Sequence, residues 1–309
     1  MISIDVPIEE FTVTSADGTR IQAYRCGAGP HKWLLPPGMG TPLSCWKYLF
    51  EFFCEKMTIV TWEPRGCYRS EKPRDISRLA VDDHVEDALE VVRGAGWDRE
   101  RFVTGGWSMG VELGLEIYHH LPRNVIALVL INGAFEHVLK TAFGLPKADV
   151  FFRALAQGLY RAGPLLADLP GWLLTQPWSM NLIKSLRLVS ANENFFAEVA
   201  TDFKDLDFPT YFLMIKRLDE HSSRPILTTV RVPTLITAGT ADKMTPARVS
   251  EEMHADIAGS ELFLIPNGTH YATLEYPEIV NLRLEHFFRR RVFSATWDAP
   301  GGERGVGAA

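Results

Sequence analysis

Seven consecutive apolar residues, Val125-Ile126-Ala127-Leu128-Val129-Leu130-Ile131, narrow the folds open to this chain more than any other segment. A half-exposed strand alternates apolar and polar residues. A strand apolar at every position is buried on both faces, as in a parallel sheet covered by helices. The surrounding segments keep the same rhythm. Residues 32–35, 57–62, 102–104, 234–237 and 261–265 read as short strands. Residues 46–54, 82–93, 109–119, 246–257 and 277–289 read as helices between them, and 82–93 is amphipathic through Val85, Ala88, Leu89, Val91 and Val92. Residues 11–14 and 21–24 flank Asp17-Gly18 and predict a β-hairpin at the start. Strands alternating with helices give an α/β architecture with a mostly parallel central sheet.

The rhythm stops between 136 and 228. That stretch is rich in Leu, Phe, Trp and Ala and is broken at Gly144, Pro146, Gly163-Pro164, Pro170-Gly171 and Pro177. Short helices inserted as a cap over the sheet are expected there. The predicted organisation is a core in two parts, 1–135 and 229–291, with the helical cap at 136–228 and a C-terminal tail at 292–309. From Asp298 onward the tail has the composition of a mobile end.

Composition removes several function classes. The net charge of -6 offers no basic footprint for nucleic acid. No apolar run approaches the roughly 20 residues that span a bilayer. The opening residues lack a charged n-region and an apolar h-region, so a cytoplasmic protein is expected. Cys26, Cys45, Cys54 and Cys67 form no C-x-x-C pair and are expected as free thiols, and no His/Cys cluster has metal-site spacing. His84 beside Asp82 and Asp83 reads as part of a solvated helix face, so no metal site is expected.

The chemistry concentrates at Gly106-Trp107-Ser108-Met109-Gly110, between the strand at 102–104 and the helix at 109–119. Two glycines around a serine predict a tight strand-to-helix turn with the hydroxyl held at its tip. A serine hydroxyl is a weak nucleophile without a base, and the base needs an acid to orient it. Asp242 and His270 each follow a strand, at the carboxyl ends where open α/β sheets place their sites. Asp207, Asp219 and Glu136 are weaker candidates for the acid because none sits in such a segment. Asn132 follows a strand, but an amide cannot serve as the acid.

With these residues in the order Ser, Asp, His, the chain resembles the α/β-hydrolase superfamily, in its lipase, esterase and non-haem haloperoxidase-like branch. The resemblance runs from about Phe11 to Phe288, interrupted by the cap. It implies Ser108 as nucleophile, His270 as general base and acid, and Asp242 as orienting acid. The oxyanion hole would use the backbone N–H groups of Met109 and Met39. Many relatives begin the second loop with His-Gly, where this chain has Pro37-Gly38. Relatives also often carry Gly where Tyr68 stands in Glu63-Pro64-Arg65-Gly66-Cys67-Tyr68. Gly38, Trp107 and Tyr271 are expected beside the substrate, and a few of the cap aromatics (among them Phe151, Trp172, Trp178, Phe195, Tyr211 and Phe212) are expected to face it.

The implied activity is hydrolysis of a carboxylic ester through an acyl-enzyme, on a small molecule with an apolar acyl or alcohol group and with no cofactor. The haloperoxidase label in this branch refers to perhydrolysis by the same triad and implies no haem. Lactone, thioester or amide hydrolysis, acyl transfer and C–C cleavage use the same machinery and stay open, as does a homodimer. A serine at the elbow speaks against dehalogenase and epoxide-hydrolase chemistry, which uses Asp there. A non-catalytic ligand-binding member is the remaining class, disfavoured because all three residues are intact.

Overall fold

The computed structural model describes residues 4–142 and 205–298 continuously, with isolated residues between them. Its centre is an eight-stranded sheet built from β1 (Ile8–Thr14), β2 (Arg20–Cys26), β3 (His31–Leu34), β4 (Met57–Trp62), β5 (Phe102–Thr104), β6 (Val125–Ile131), β7 (Thr234–Gly239) and β8 (Glu261–Ile265). The strand order is β1-β2-β4-β3-β5-β6-β7-β8. The hairpin β1–β2 is antiparallel and joins β4 antiparallel, and every other pairing is parallel. The expected α/β-hydrolase architecture is therefore present, with the predicted hairpin at one edge.

Side chains on successive strand positions enter two different cores, as the pleat requires. Leu34, Val60, Leu128, Leu130 and Ile236 join α2 (Val81–Gly94), α3 (Met109–His120) and α7 (Ala247–Asp256) on one face. Trp33, Ile59, Val129, Ile131 and Leu235 join α1 (Lys47–Phe53) and α8 (Pro277–Phe287) on the other. In β6 only Ile126 is partly exposed, the other six residues being buried, which explains the uninterrupted apolar run. Each large aliphatic side chain buried this way contributes about 1.5–3 kcal/mol.

Three local outcomes differ from the sequence reading or extend it. His84 is buried rather than solvated, because it falls on the same stripe of α2 as Val81, Val85 and Ala88. Of the expected tail, residues up to Asp298 are described; Phe293 and Trp297 are buried and stack with His31 at 3.9 and 5.4 Å between ring centroids. Within 136–228 the described elements are α4 (Val138–Thr141), α5 (Phe208–Glu220) and α6 (Arg224–Leu227). The predicted breaks at Gly144, Pro146, Gly163-Pro164, Pro170-Gly171 and Pro177 lie outside the described residues. The four cysteines are free thiols. Among the described residues no helix is long and apolar enough to cross a membrane, and no His/Cys/Asp/Glu group could hold a metal ion.

Candidate active site

The turn between β5 and α3 is held from both sides. Ser108 N–H donates to the Ile131 carbonyl at 3.0 Å, and Ile131 N–H donates back to the Gly106 carbonyl at 3.0 Å. Across the turn the Pro36 carbonyl presses against Gly106 and Gly110, where added Cβ atoms would come within 2.0 and 2.4 Å of it. Only glycine fits at those two positions. Ser108 itself has φ 59° and ψ -119°, a backbone state that costs about 1–3 kcal/mol and persists only when its surroundings enforce it. The strain leaves the side chain half-exposed at the start of α3.

His270 and Asp242 come from the loops after β8 and β7. Ala241 N–H donates to the Gly268 carbonyl at 2.9 Å, which ties the two loops together. His270 Nε2 lies 3.0 Å from Ser108 Oγ, and His270 Nδ1 lies 2.9 Å from Asp242 Oδ2. The structure thus brings the three predicted residues into one hydrogen-bonded line, with His270 and Asp242 both buried. The rival carboxylates are engaged elsewhere. Asp207 caps α5 through Thr210 N–H, Asp219 accepts from Leu139 N–H, and Glu136 pairs with Arg224.

One residue beside Asp242 escapes sequence reasoning, and another has a role other than the one weighed for it. Thr245 lies three residues on, and its hydroxyl proton is within reach of Asp242 Oδ2 at 2.8 Å and the Asn132 carbonyl at 3.0 Å. The backbone N–H groups of Met244 and Thr245 donate to Asp242 Oδ1 at 2.8 and 2.9 Å. Donors on both oxygens fix the carboxylate in orientation. Asn132, set aside as an acid, donates to the Thr269 carbonyl at 2.9 Å and so steadies the residue before His270. The local Asp-x-x-Thr spacing was the available signal for Thr245.

Met39 and Met109 both line the cavity above Ser108. Among the described residues neither N–H has an acceptor, as expected for a tight loop and for the first residue of a helix. The loop carrying Met39 is fixed in two ways. Gly38 lies so close to the elbow that an added Cβ would come within 3.0 Å of the Trp107 carbonyl. Gly40 accepts a 2.8 Å hydrogen bond from the Tyr68 hydroxyl. Tyr68 stands where glycine is usual and keeps the left-handed backbone that glycine would supply, at φ 49°.

The three residues expected beside the substrate are placed differently. Trp107 is buried, and its indole N–H donates to the His270 carbonyl at 2.7 Å. Tyr271 packs 5.3 Å from the Trp107 ring. Neither these two nor Gly38 is among the described residues lining the cavity. Its volume is about 200 Å³ and its walls are mostly apolar. Leu139 of α4 and Tyr211, Phe212, Ile215 and Leu218 of α5 supply much of the wall, so part of the 136–228 segment reaches the site. Trp172 and Trp178 are exposed, while Phe151, Phe152, Phe195 and Phe196 lie outside the described residues.

Comparison with known proteins agrees with this fold. Residues 34–277 match the model of the alpha/beta hydrolase fold. The mouse serine hydrolase BPHL is 26% identical over 293 residues, 92% of this chain and 90% of that protein. A putative carbamate hydrolase, RutD, from Azorhizobium caulinodans is 23% identical over 259 residues, covering 82% and 89%. Among solved structures, an esterase from Exiguobacterium antarcticum superposes with a TM-score of 0.70 at 19% identity, covering 91% of this chain and all of that one. A bromoperoxidase from Bacillus anthracis gives 0.72 at 17% identity with the same coverage.

Proposed function

The chain belongs to the α/β-hydrolase fold family, and from that premise we propose that it is a serine hydrolase cleaving the carboxylic ester of a small molecule with an apolar acyl or alcohol group. The observation that carries this reading is the continuous contact from Ser108 Oγ through His270 to Asp242 beneath an apolar cavity.

The chemistry follows from the placement of each group. His270 Nε2 takes the Ser108 proton as Oγ attacks the ester carbonyl, and Asp242 holds the other ring nitrogen and stabilises the imidazolium that forms. The carbonyl oxygen becomes an oxyanion between the N–H groups of Met39 and Met109, which have no competing acceptor among the described residues. Collapse of the tetrahedral intermediate breaks the bond to the alcohol oxygen, which receives the proton from His270. Water then enters, gives its proton to His270 and attacks the Ser108 acyl ester, and the acid leaves with Ser108 reprotonated. Trp107 acts through its hydrogen bond to the His270 backbone and is a positioning residue in this scheme.

Hydrolysis of p-nitrophenyl esters from acetyl to palmitoyl, by wild type beside Ser108→Ala, tests the reading. Turnover that collapses in the variant supports it, and turnover that survives removes Ser108 as nucleophile. The Azorhizobium relative is named for carbamate hydrolysis, and the same groups would act on a carbamate carbonyl. A carbamate turned over faster than every ester would move the proposal to that class. Lactone, thioester, amide and C–C substrates extend the same panel.

A further inference from the structure

Glu112 stands on α3 one turn beyond Ser108 and forms part of the cavity wall. It is fully buried, and neither carboxyl oxygen has a hydrogen-bond partner among the described residues. Neighbouring acids are all engaged. Glu116 meets His221 and Ser223, Asp219 accepts from Leu139 N–H, and Glu136 pairs with Arg224. Nothing in the proposed triad uses Glu112, because Asp242 already orients His270. Folded chains pair their buried polar groups, so an unpartnered carboxyl in the wall of a substrate-sized cavity is a group whose partner arrives with a ligand.

We propose that Glu112 is a specificity-determining anchor that donates a hydrogen bond to a neutral carbonyl, a ketone or amide, carried on the apolar part of the substrate. This deepens the ester-hydrolase reading and rests on it. Burial, with repulsion from Glu116, Asp219 and Glu136, pushes the carboxyl well above the ordinary carboxylate range. The positive end of α3 favours a carboxylate only weakly, so burial wins and the proton stays. A protonated carboxyl has one O–H to give. A carbonyl accepts that proton without bringing a charge into an apolar cavity, whereas an ammonium group would require the acid to ionise. Four residues of helix span about 6 Å along the axis, which puts the carbonyl several bonds from the scissile group. A site built around a donor discriminates against the analogue that leaves the donor empty.

The test compares p-nitrophenyl octanoate with its 4-, 5- and 6-oxo counterparts, on wild type, Glu112→Gln and Glu112→Leu. In wild type the best oxo ester should exceed octanoate in kcat/KM by about tenfold, the worth of one buried hydrogen bond. Gln keeps a donor and should keep the preference; Leu should reverse it toward octanoate. A wild-type ratio of one or below overturns the proposal even if the Leu variant does not fold, and so does a ratio that Leu leaves unchanged. Faster turnover of the 6-aminohexanoyl ester than of any oxo ester overturns it too, in favour of a cation site. Calorimetric binding of 2-octanone needs no turnover and separates the two readings. Wild-type affinity about tenfold above that of Glu112→Leu supports the anchor even if every ester is inert, and equal affinity removes it even if Ser108 proves to be the nucleophile.

Discussion

The Tyr68 hydroxyl donates a 2.8 Å hydrogen bond to the Gly40 carbonyl, from a tyrosine held at φ 49°. The strained residue steadies the loop that carries Met39, in a chain lacking the histidine with which many relatives begin that loop. Tyr68→Phe removes one neutral hydrogen bond, worth about 0.5–1.5 kcal/mol. On the proposed mechanism that loosens the oxyanion donor and not the substrate cavity. The expected result is a fall in kcat of roughly threefold to tenfold with KM little changed. Unchanged kcat would show that the loop does not depend on Tyr68.

Thr245 should matter through Asp242. Its hydroxyl sits 2.8 Å from Asp242 Oδ2, a bond to a charged group worth about 1.5–3 kcal/mol. Thr245→Val keeps the shape and removes the donor, while the Met244 and Thr245 backbone donors remain on Oδ1. We expect kcat to drop about tenfold or more in Thr245→Val and to recover in Thr245→Ser. Steady-state kinetics on both variants decides it; equal loss in Ser and Val would mean packing and not the hydroxyl is responsible.

Arg65 and Asp87 form a fully buried bidentate pair, with bonds of 2.8 and 2.6 Å. Asp17, Ser15 and the Arg78 carbonyl take the remaining guanidinium protons, so all five donors are used. Removing one partner strands a charge in the core, and Arg65→Met should cost about 3–5 kcal/mol of unfolding free energy. Arg65→Met combined with Asp87→Leu should cost distinctly less than the sum of the single changes, measured by urea denaturation.

Two buried groups give opposite pH signatures. Burial lowers His84 from 6.5 to about 3. Below pH 6.5 the unfolded chain takes up a proton that folded His84 refuses, so stability falls as pH drops from 6.5 toward 3. Glu112 is raised well above 4.5. Above pH 4.5 the unfolded chain releases a proton that folded Glu112 retains, so stability falls as pH rises from 4.5 to the folded value. Relative to wild type, His84→Phe should gain stability progressively below pH 6.5. Glu112→Gln should gain it on going from pH 5 to pH 8. Denaturant titrations at three pH values measure both; a stability difference that does not change with pH would contradict the assignment.

The sheet was legible because burial on both faces writes itself into composition. Residues 57–62, 102–104 and 125–131 run from first to last residue as expected, and so does 261–265, an edge strand that is mostly not buried and is legible from its apolar run alone. Ser108, Asp242 and His270 could be placed together because strand ends and chain order constrain them. Residues acting through backbone groups were harder to see. Trp107 reads as a pocket aromatic, yet its indole N–H holds the His270 carbonyl, a partner 163 positions away. His84 was hidden by its acidic neighbours, although the spacing of Val81, Val85 and Ala88 put it on the buried stripe. Glu112 lies on a helix buried nearly all round, so no polar face exists against which its inward position stands out.

In the proposed mechanism Ser108 becomes acylated through His270. A fluorophosphonate mimics that step by phosphonylating the activated hydroxyl, and mass spectrometry of the digested protein locates the adduct. Wild type should be modified stoichiometrically on the peptide containing Ser108. Modification should be slowed by at least about a thousandfold in His270→Ala and absent in Ser108→Ala. An adduct on another residue, or undiminished labelling of Ser108→Ala, would contradict it.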